Sequence, residues 1–302
     1  MAAPRLCEGR ICIVTGGARG IGRQHALMLA EHGAKVVVND FGGERDGTGG
    51  DPGPANEVVA EITAAGGEAV ANSADVSDFA AAGALVQQAI DTYGGLDVVV
   101  SNAGILRDRM LFSMTEEEWD AVIRVHLKGT FAPARHAAGY WRDRAKAGET
   151  NDARLITTTS VSGLYGNMGQ TNYGAAKAGI AALTLIAADE LARYGVTANS
   201  IAPGALTRMT EDLGIPDEAR EGMDPRWIAP IVTWLASTES AGVTGQVIES
   251  TGTVTAIAEG WRRGPTTKTP PAEPSDVQAV LEGLLKDARG RSNMQGAERK
   301  ER

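Results

Sequence analysis

The sequence predicts an α/β domain with a doubly wound parallel sheet, and three observations carry that prediction. Short apolar, β-branched runs alternate with longer segments of helical period over most of the 302 residues. Parallel neighbours need crossover helices, so this alternation places helices on both faces of one sheet. Between the first run and the first helical segment stands the glycine-rich stretch "TGGARGIG", residues 15 to 22, at the position where such folds receive a phosphate group.

The elements follow in order. "RICIVT" is read as a strand leading to a helix over 21 to 32, and "KVVVN" as a strand leading to a helix over 55 to 65. "EAVANSAD" precedes a helix over 79 to 93, and "LDVVVSN" one over 116 to 140. "ARLITTTS" leads to a helix over 172 to 194, "VTANSIA" to one over 225 to 236, and "GQVIES" closes the sheet. Composition shifts at "RRGPTTKTPPAEPS", residues 262 to 275, which reads as a linker. Residues 1–261 are therefore taken as one dinucleotide-binding domain, and 262–302 as linker, short helix and charged tail. Ser275 and Gln278 have the spacing of a capping box for that helix. Its stripe of Val277, Val280, Leu281, Leu284 and Leu285 is expected to dock on its own domain or on a partner subunit.

Composition narrows the function classes. A formal net charge of −9 and the absence of a basic stripe argue against a nucleic-acid surface. No apolar run reaches the roughly 18 residues of a membrane helix, and the N-terminus lacks a signal core, so the chain is expected to be soluble and cytoplasmic. Cys7 and Cys12 stand alone near the N-terminus and read as structural thiols; no metal set is expected. The segment over 172 to 194 is small or apolar on most faces, which implies a second buried face and a homodimer or homotetramer.

The candidate site residues follow from position. Gly16, Gly20 and Gly22 let backbone N–H groups approach a pyrophosphate, although their spacing is not G-x-G-x-x-G. Asp40 ends the second strand, eighteen residues past Gly22. A carboxylate there accepts from both adenosine ribose hydroxyls and repels a 2′-phosphate, which favours NAD over NADP; Arg19, inside the turn, argues the other way. Asp75 follows the third strand, where an adenine edge is met. Tyr173 and Lys177, four residues apart on a helix, share a face, and Ser160 lies thirteen residues before Tyr173 at a strand end. A free tyrosine, with a pKa of about 10, becomes a base near neutrality only if cationic neighbours stabilise its phenolate.

"TGGARGIG", "SNAG" at 101 to 104, Ser160 with "NYGAAK", and "APG" at 202 to 204 together resemble the short-chain dehydrogenase/reductase family. The resemblance implies a Rossmann-type seven-stranded sheet of order 3-2-1-4-5-6-7, a nicotinamide cofactor across the strand ends, and Ser160, Tyr173 and Lys177 as catalytic residues. It implies cofactor contacts at Gly16, Arg19, Gly20, Ile21, Gly22, Asp40, Asp75, Val76, Asn102, Ala103, Gly104, Tyr173, Lys177, Pro203 and Gly204, with Thr207 one residue earlier than the family's usual threonine. Where many members carry an asparagine for a relay water, this chain has His126, open to a relay role or to simple packing.

"VVVNDFGGERDGTG", "GILRDRM", "RVHLKGTF", "SGLYGNMGQTNY", "RMT" and "GW" are similar to the (3R)-hydroxyacyl-CoA dehydrogenase part of peroxisomal multifunctional enzymes and to bacterial 17β-hydroxysteroid dehydrogenase relatives. That branch implies an acyl-CoA or steroid substrate, with Arg107 and Arg109 either meeting a CoA phosphate or pairing with Asp108 or Glu116. Leu164, Tyr165 and Met168 read as apolar walls. The glycine-rich loop after Asp40, longer than a plain βα turn, is expected to border the adenosine pocket. Two other readings stay open: an NADPH-dependent 3-oxoacyl-carrier-protein reductase, and a catalytically silent cofactor-binding protein.

Overall fold

The computed structural model describes residues 5–206 and 221–298. Its centre is a sheet in the order β3-β2-β1-β4-β5-β6-β7-β8. The strands are β1 (Ile11–Thr15), β2 (Lys35–Asn39), β3 (Glu68–Asn72), β4 (Val98–Ser101), β5 (Ala153–Thr158), β6 (Val196–Pro203), β7 (Val247–Ser250) and β8 (Thr255–Ile257). The first seven run parallel, as the alternation of runs and helices requires. β8 is a short antiparallel strand on the edge of β7, one more than expected from the sequence. Its three residues carry no run of apolar side chains, so periodicity had nothing to detect.

The helices are α1 (Gly20–Glu31), α2 (Gly53–Ala64), α3 (Phe79–Tyr93), α4 (Glu116–Ile123), α5 (Gly129–Lys146), α6 (Val161–Tyr165), α7 (Thr171–Leu191), α8 (Ala229–Ala236) and α9 (Val277–Asp287). The central strands are buried on both faces, which explains their continuous rather than alternating apolar runs. Two cores result. α1, α2 and α8 cover one face around Val36, Val100 and Ile156; α3, α5 and α7 cover the other around Ile13, Val99 and Leu155. Cys7 and Cys12 are buried and unpaired, with Cys7 Sγ donating to the Thr233 carbonyl.

Two expectations are corrected. The helix foreseen over 116 to 140 is α4 and α5 joined by a π-helical turn at Arg124–Lys128, which displaces the residues on it from the regular face. α9 is capped by Glu273 and Asp276 through a preceding 3₁₀ turn rather than by Ser275 and Gln278. Of its apolar stripe, Val280 and Leu284 are partly buried, while Leu281 and Leu285 are about half exposed, at 49% and 52%.

One buried side chain in this fold has a measurable consequence. His25 of α1 is fully buried, and neither ring nitrogen has a partner among the described residues. Burial pushes it down to about 3, so the folded chain refuses a proton that the unfolded chain accepts near its ordinary value. Stability therefore falls as pH drops below about 6.5. Between pH 7.5 and pH 5 this single group accounts for about 2 kcal/mol. His25→Leu is expected to remove that loss; urea unfolding of both chains at the two pH values measures it, and an unchanged pH dependence contradicts the assignment.

Candidate active site

Because β1 is flanked by β2 on one side and β4 on the other, the chain leaves β1 at the point where successive crossovers diverge, and a crevice opens at its carboxyl end. The turn from Thr15 to Gly20 lies there. Gly16 and Gly20 have φ of +61° and +52°, a region that side chains disfavour. A Cβ on Gly22 would fall inside the radii of the Gly16 carbonyl oxygen and Asn102 Nδ2, so α1 approaches the turn as closely as glycine allows. Asn102 braces this turn, its Nδ2 donating to the carbonyls of Thr15 and Gly16 at 3.2 Å.

A cavity of about 420 Å³ opens above the turn. Gly16, Arg19, Gly20 and Ile21 line one part of it, Asp40, Phe41 and the segment from Gly43 to Gly49 contribute another, and Asp75, Val76 and Asn102–Ile105 a third. One Asp40 carboxylate oxygen accepts from the Ala18 N–H at 3.0 Å and the other from the Gly42 N–H at 2.8 Å, which fixes the group at the strand end. Arg19, also in the lining, donates from Nη1 to the Gly43 carbonyl at 3.2 Å. Asp75 accepts from Ser77 and pairs at 3.1 Å with Arg124, a cavity residue to which the reading of "RVHLKGTF" assigned no role.

Ser160, Tyr173 and Lys177 come together outside the residues that line this cavity, joined to it through His126, whose ring meets both Ile105 and Tyr173. Ser160 lies two residues past the end of β5 and caps α6, and Tyr173 and Lys177 stand one turn apart on α7. The Lys177 Nζ lies 5.5 Å from the Tyr173 ring centre and donates to the Thr158 carbonyl at 2.6 Å. Burial pushes the Tyr173 phenol up to about 12, opposed by its hydrogen bond with Ser160. Burial pulls the Lys177 ammonium down to about 7. A phenol, a hydroxyl and an ammonium so placed can hold one substrate oxygen and exchange a proton with it.

His126 sits on the π-helical turn, 1% exposed, its ring edge-on to Tyr173 with centres 5.1 Å apart. Its Nε2 lies 2.7 Å from the Ile105 carbonyl and 3.0 Å from the Ile105 N–H; the tautomer decides which bond is made. Burial, helped by Lys177, pushes the ring down to about 3, so at neutral pH it is uncharged. The ring lies between the segment after β4 and Tyr173, with Nδ1 buried and without a partner among the described residues.

Asn172 is the residue that motif reading passed over. Fully buried, it donates from Nδ2 to the carbonyls of Arg107 and Glu118, and its Oδ1 accepts from the Tyr173 N–H. The start of α7 is thereby tied to the post-β4 segment. An asparagine in the first turn of a helix, where donors lack partners, was the available signal.

Other expectations are placed as follows. Arg107 and Arg109 pair with Glu117 and Glu118 at 2.9 and 3.0 Å, rather than with Asp108 or Glu116. Tyr165 donates to Glu249, and Met168 is exposed. Pro203 and Gly204 close β6 beside β7, outside the cavity lining, and Thr207 lies outside the described residues.

Comparison with known proteins agrees with this geometry. A family model described as short chain dehydrogenase matches residues 10–215. A hydroxyacyl-CoA dehydrogenase, ChsB1, of Mycobacterium tuberculosis is 50% identical over 251 residues, covering 80% of this chain and 76% of that protein. The peroxisomal multifunctional enzyme type 2 of Mus musculus is 44% identical over 261 residues, 86% of this chain but 33% of that much longer protein. A crystal structure of a short chain dehydrogenase from Mycobacterium avium superimposes with a TM-score of 0.86 at 52% identity, covering 95% of this chain and 98% of that one. The chain belongs to the short-chain dehydrogenase family and is an oxidoreductase acting on CH–OH groups.

Proposed function

We propose that this chain is an NAD-dependent dehydrogenase of hydroxyacyl-CoA thioesters, fatty or steroid in the acyl part, with Ser160, Tyr173 and Lys177 as its catalytic residues. The observation that carries the reading is that one stretch of backbone serves both parts: Gly104 and Ile105 line the cavity that holds the fixed carboxylate of Asp40, and Ile105 bonds His126, whose ring meets Tyr173 of the phenol–hydroxyl–ammonium cluster. The residues fit a dinucleotide. The close approach of α1 at Gly22 bares the backbone N–H groups of the turn for a pyrophosphate, and Asp40 offers a ribose its remaining lone pairs. Asp75 and Val76 border the space for an adenine, and Lys177 is the residue assigned to the nicotinamide ribose. Bound there, a nicotinamide supplies the hydride chemistry that side chains lack.

The chain's own residues do the rest. Ser160 donates to the substrate oxygen and fixes its distance from Tyr173. In the reductive direction Tyr173, protonated through neutral pH, gives its proton to the nascent alkoxide; in the oxidative direction its phenolate removes the hydroxyl proton. Lys177 stabilises that phenolate when charged. Oxidation is therefore expected to accelerate with rising pH, and reduction to slow.

The acyl-CoA class rests on the relatives named for it and on the long loop after Asp40, part of the sequence likeness to the multifunctional-enzyme branch. Turnover of (3R)-hydroxyacyl-CoA, steroid-CoA and free steroid alcohols, each with NAD and with NADP, tests it. Activity confined to free alcohols contradicts the thioester reading, and activity confined to NADPH with a 3-oxoacyl carrier protein favours the reductase. Tyr173→Phe is expected to lower kcat by about 10² to 10⁴ with dinucleotide binding retained. Asp40→Asn keeps an acceptor but removes the charge, and the NAD:NADP ratio of kcat/KM is expected to fall roughly tenfold or more. An unchanged ratio would mean that Asp40 does not select the cofactor.

A further inference from the structure

The segment after β2, residues 41 to 51, does more than border the cavity. It folds on itself: the Glu44 N–H donates to the Thr48 carbonyl at 2.7 Å, the Gly47 N–H donates to the Glu44 carbonyl at 3.0 Å, and Asp46 caps Thr48. This folded unit is tied at three places. At its base the Gly42 N–H donates to Asp40. Beside the glycine turn the Gly43 carbonyl accepts from Arg19 at 3.2 Å. At its far end the Arg45 carbonyl accepts from the Leu106 N–H at 3.0 Å, and the Asp46 carbonyl accepts from Arg107 Nε at 2.9 Å.

The sheet order gives these ties their meaning. β2 and β4 lie on opposite sides of β1, so a link from the segment after β2 to the segment after β4 must cross the carboxyl end of β1. That is where the glycine turn stands. Gly47 is packed there on Ile105, at a φ of +89°, and a Cβ on it would lie 3.0 Å from Ile105 Cδ1. The turn and the folded unit thus face each other across the cavity, both among its lining.

Arg107 is a fixed post for this link. Its side chain is only 18% exposed and is held by Glu117 at 2.9 Å, while its backbone carbonyl is held by Asn172 of the catalytic helix. Among the described residues, two hydrogen bonds and one glycine contact join the folded unit to the post-β4 segment.

We propose that residues 41 to 51 form a strap across the dinucleotide cleft, latched by Arg107 and the Leu106 N–H, and that opening this latch sets the rates at which the cofactor enters and leaves. The inference rests on the nicotinamide-site reading above and assigns Arg107 a positioning role, separate from contact with substrate. Because the latch bonds are lost in the open strap whether or not cofactor is present, weakening them speeds entry and release together and moves the affinity far less.

Stopped-flow fluorescence of NADH association and dissociation tests this in the wild-type chain, in Arg107→Ala and in Gly47→Ala, the second loosening the same contact from the strap side. Loss of a charge-assisted hydrogen bond is expected to raise both rate constants by roughly tenfold or more, with Kd changing several-fold less. Amide hydrogen exchange of the wild type is expected to show Glu44, Gly47 and Leu106 protected together when NADH binds. NADH bound with wild-type rates by both folded variants overturns the strap and leaves the cofactor site standing. A wild-type chain that binds no NADH overturns the cofactor reading, and the strap with it.

Discussion

The cleft depends on a clamp between the ends of two strands. Thr15, the last residue of β1, accepts on Oγ1 from the backbone N–H groups of Asn102 and Ala103, just past β4. Asn102 answers with two bonds to the carbonyls of Thr15 and Gly16. Four hydrogen bonds thus cross the point where the sheet's connections diverge and where no ladder continues. Without them the glycine turn would be free to relax, and the N–H groups at the start of α1 would lose their common direction. Both partners are largely buried, so each unmade bond would cost about 1 to 3 kcal/mol.

From that clamp the order spreads along the chain rather than through the core. The residues after Asn102 run beneath His126, whose placement requires the π-helical turn between α4 and α5. A regular helix would carry this ring around the axis by a further fraction of a turn and away from Ile105 and Tyr173. Gly104 has no side chain because the imidazole occupies the space a Cβ would need. Asn172 then joins the same segment to the first turn of α7. The positions of the glycine turn and of Tyr173 are therefore set by one stretch of backbone, Asn102 to Arg107, held from both sides.

Much of this was legible in the sequence, because most of the signals are local. Strands buried on both faces announce themselves as "CIV", "VVV" and "LIT", and the glycine turn, Asp40 and the Ser160–Tyr173–Lys177 set stand at spacings that topology makes meaningful. What escaped was written in pairs distant along the chain. The π-helical turn has the same apolar period as the helix around it over five residues, so only the tertiary need for His126 reveals it. The arginines of "GILRDRM" looked available to a phosphate, yet Glu117 and Glu118, on the next helix, take them up. The apolar stripe of α9 was read correctly as a stripe, but a period shows that a face exists and not what covers it.

The electrostatics of the catalytic pair follow from the same burial that fixes its geometry. A low-dielectric surrounding disfavours charge of either sign, so it raises the phenol and lowers the ammonium. The two shifts move the groups apart, the phenol to about 12 and the ammonium to about 7, so burial by itself favours the neutral pair. Once Lys177 has lost its proton, the neutral pair, and the ion pair made by moving the Tyr173 proton to Lys177, contain the same number of protons and differ only in internal position. Choosing between them needs no proton from water, only a local field. A positive charge brought against the phenol favours the phenolate, and its departure restores the phenol. The site can thus be a base when the hydride acceptor is cationic and an acid when the donor is neutral, with the protein contributing burial, the Ser160 hydrogen bond and the Thr158 carbonyl that holds the ammonium in place.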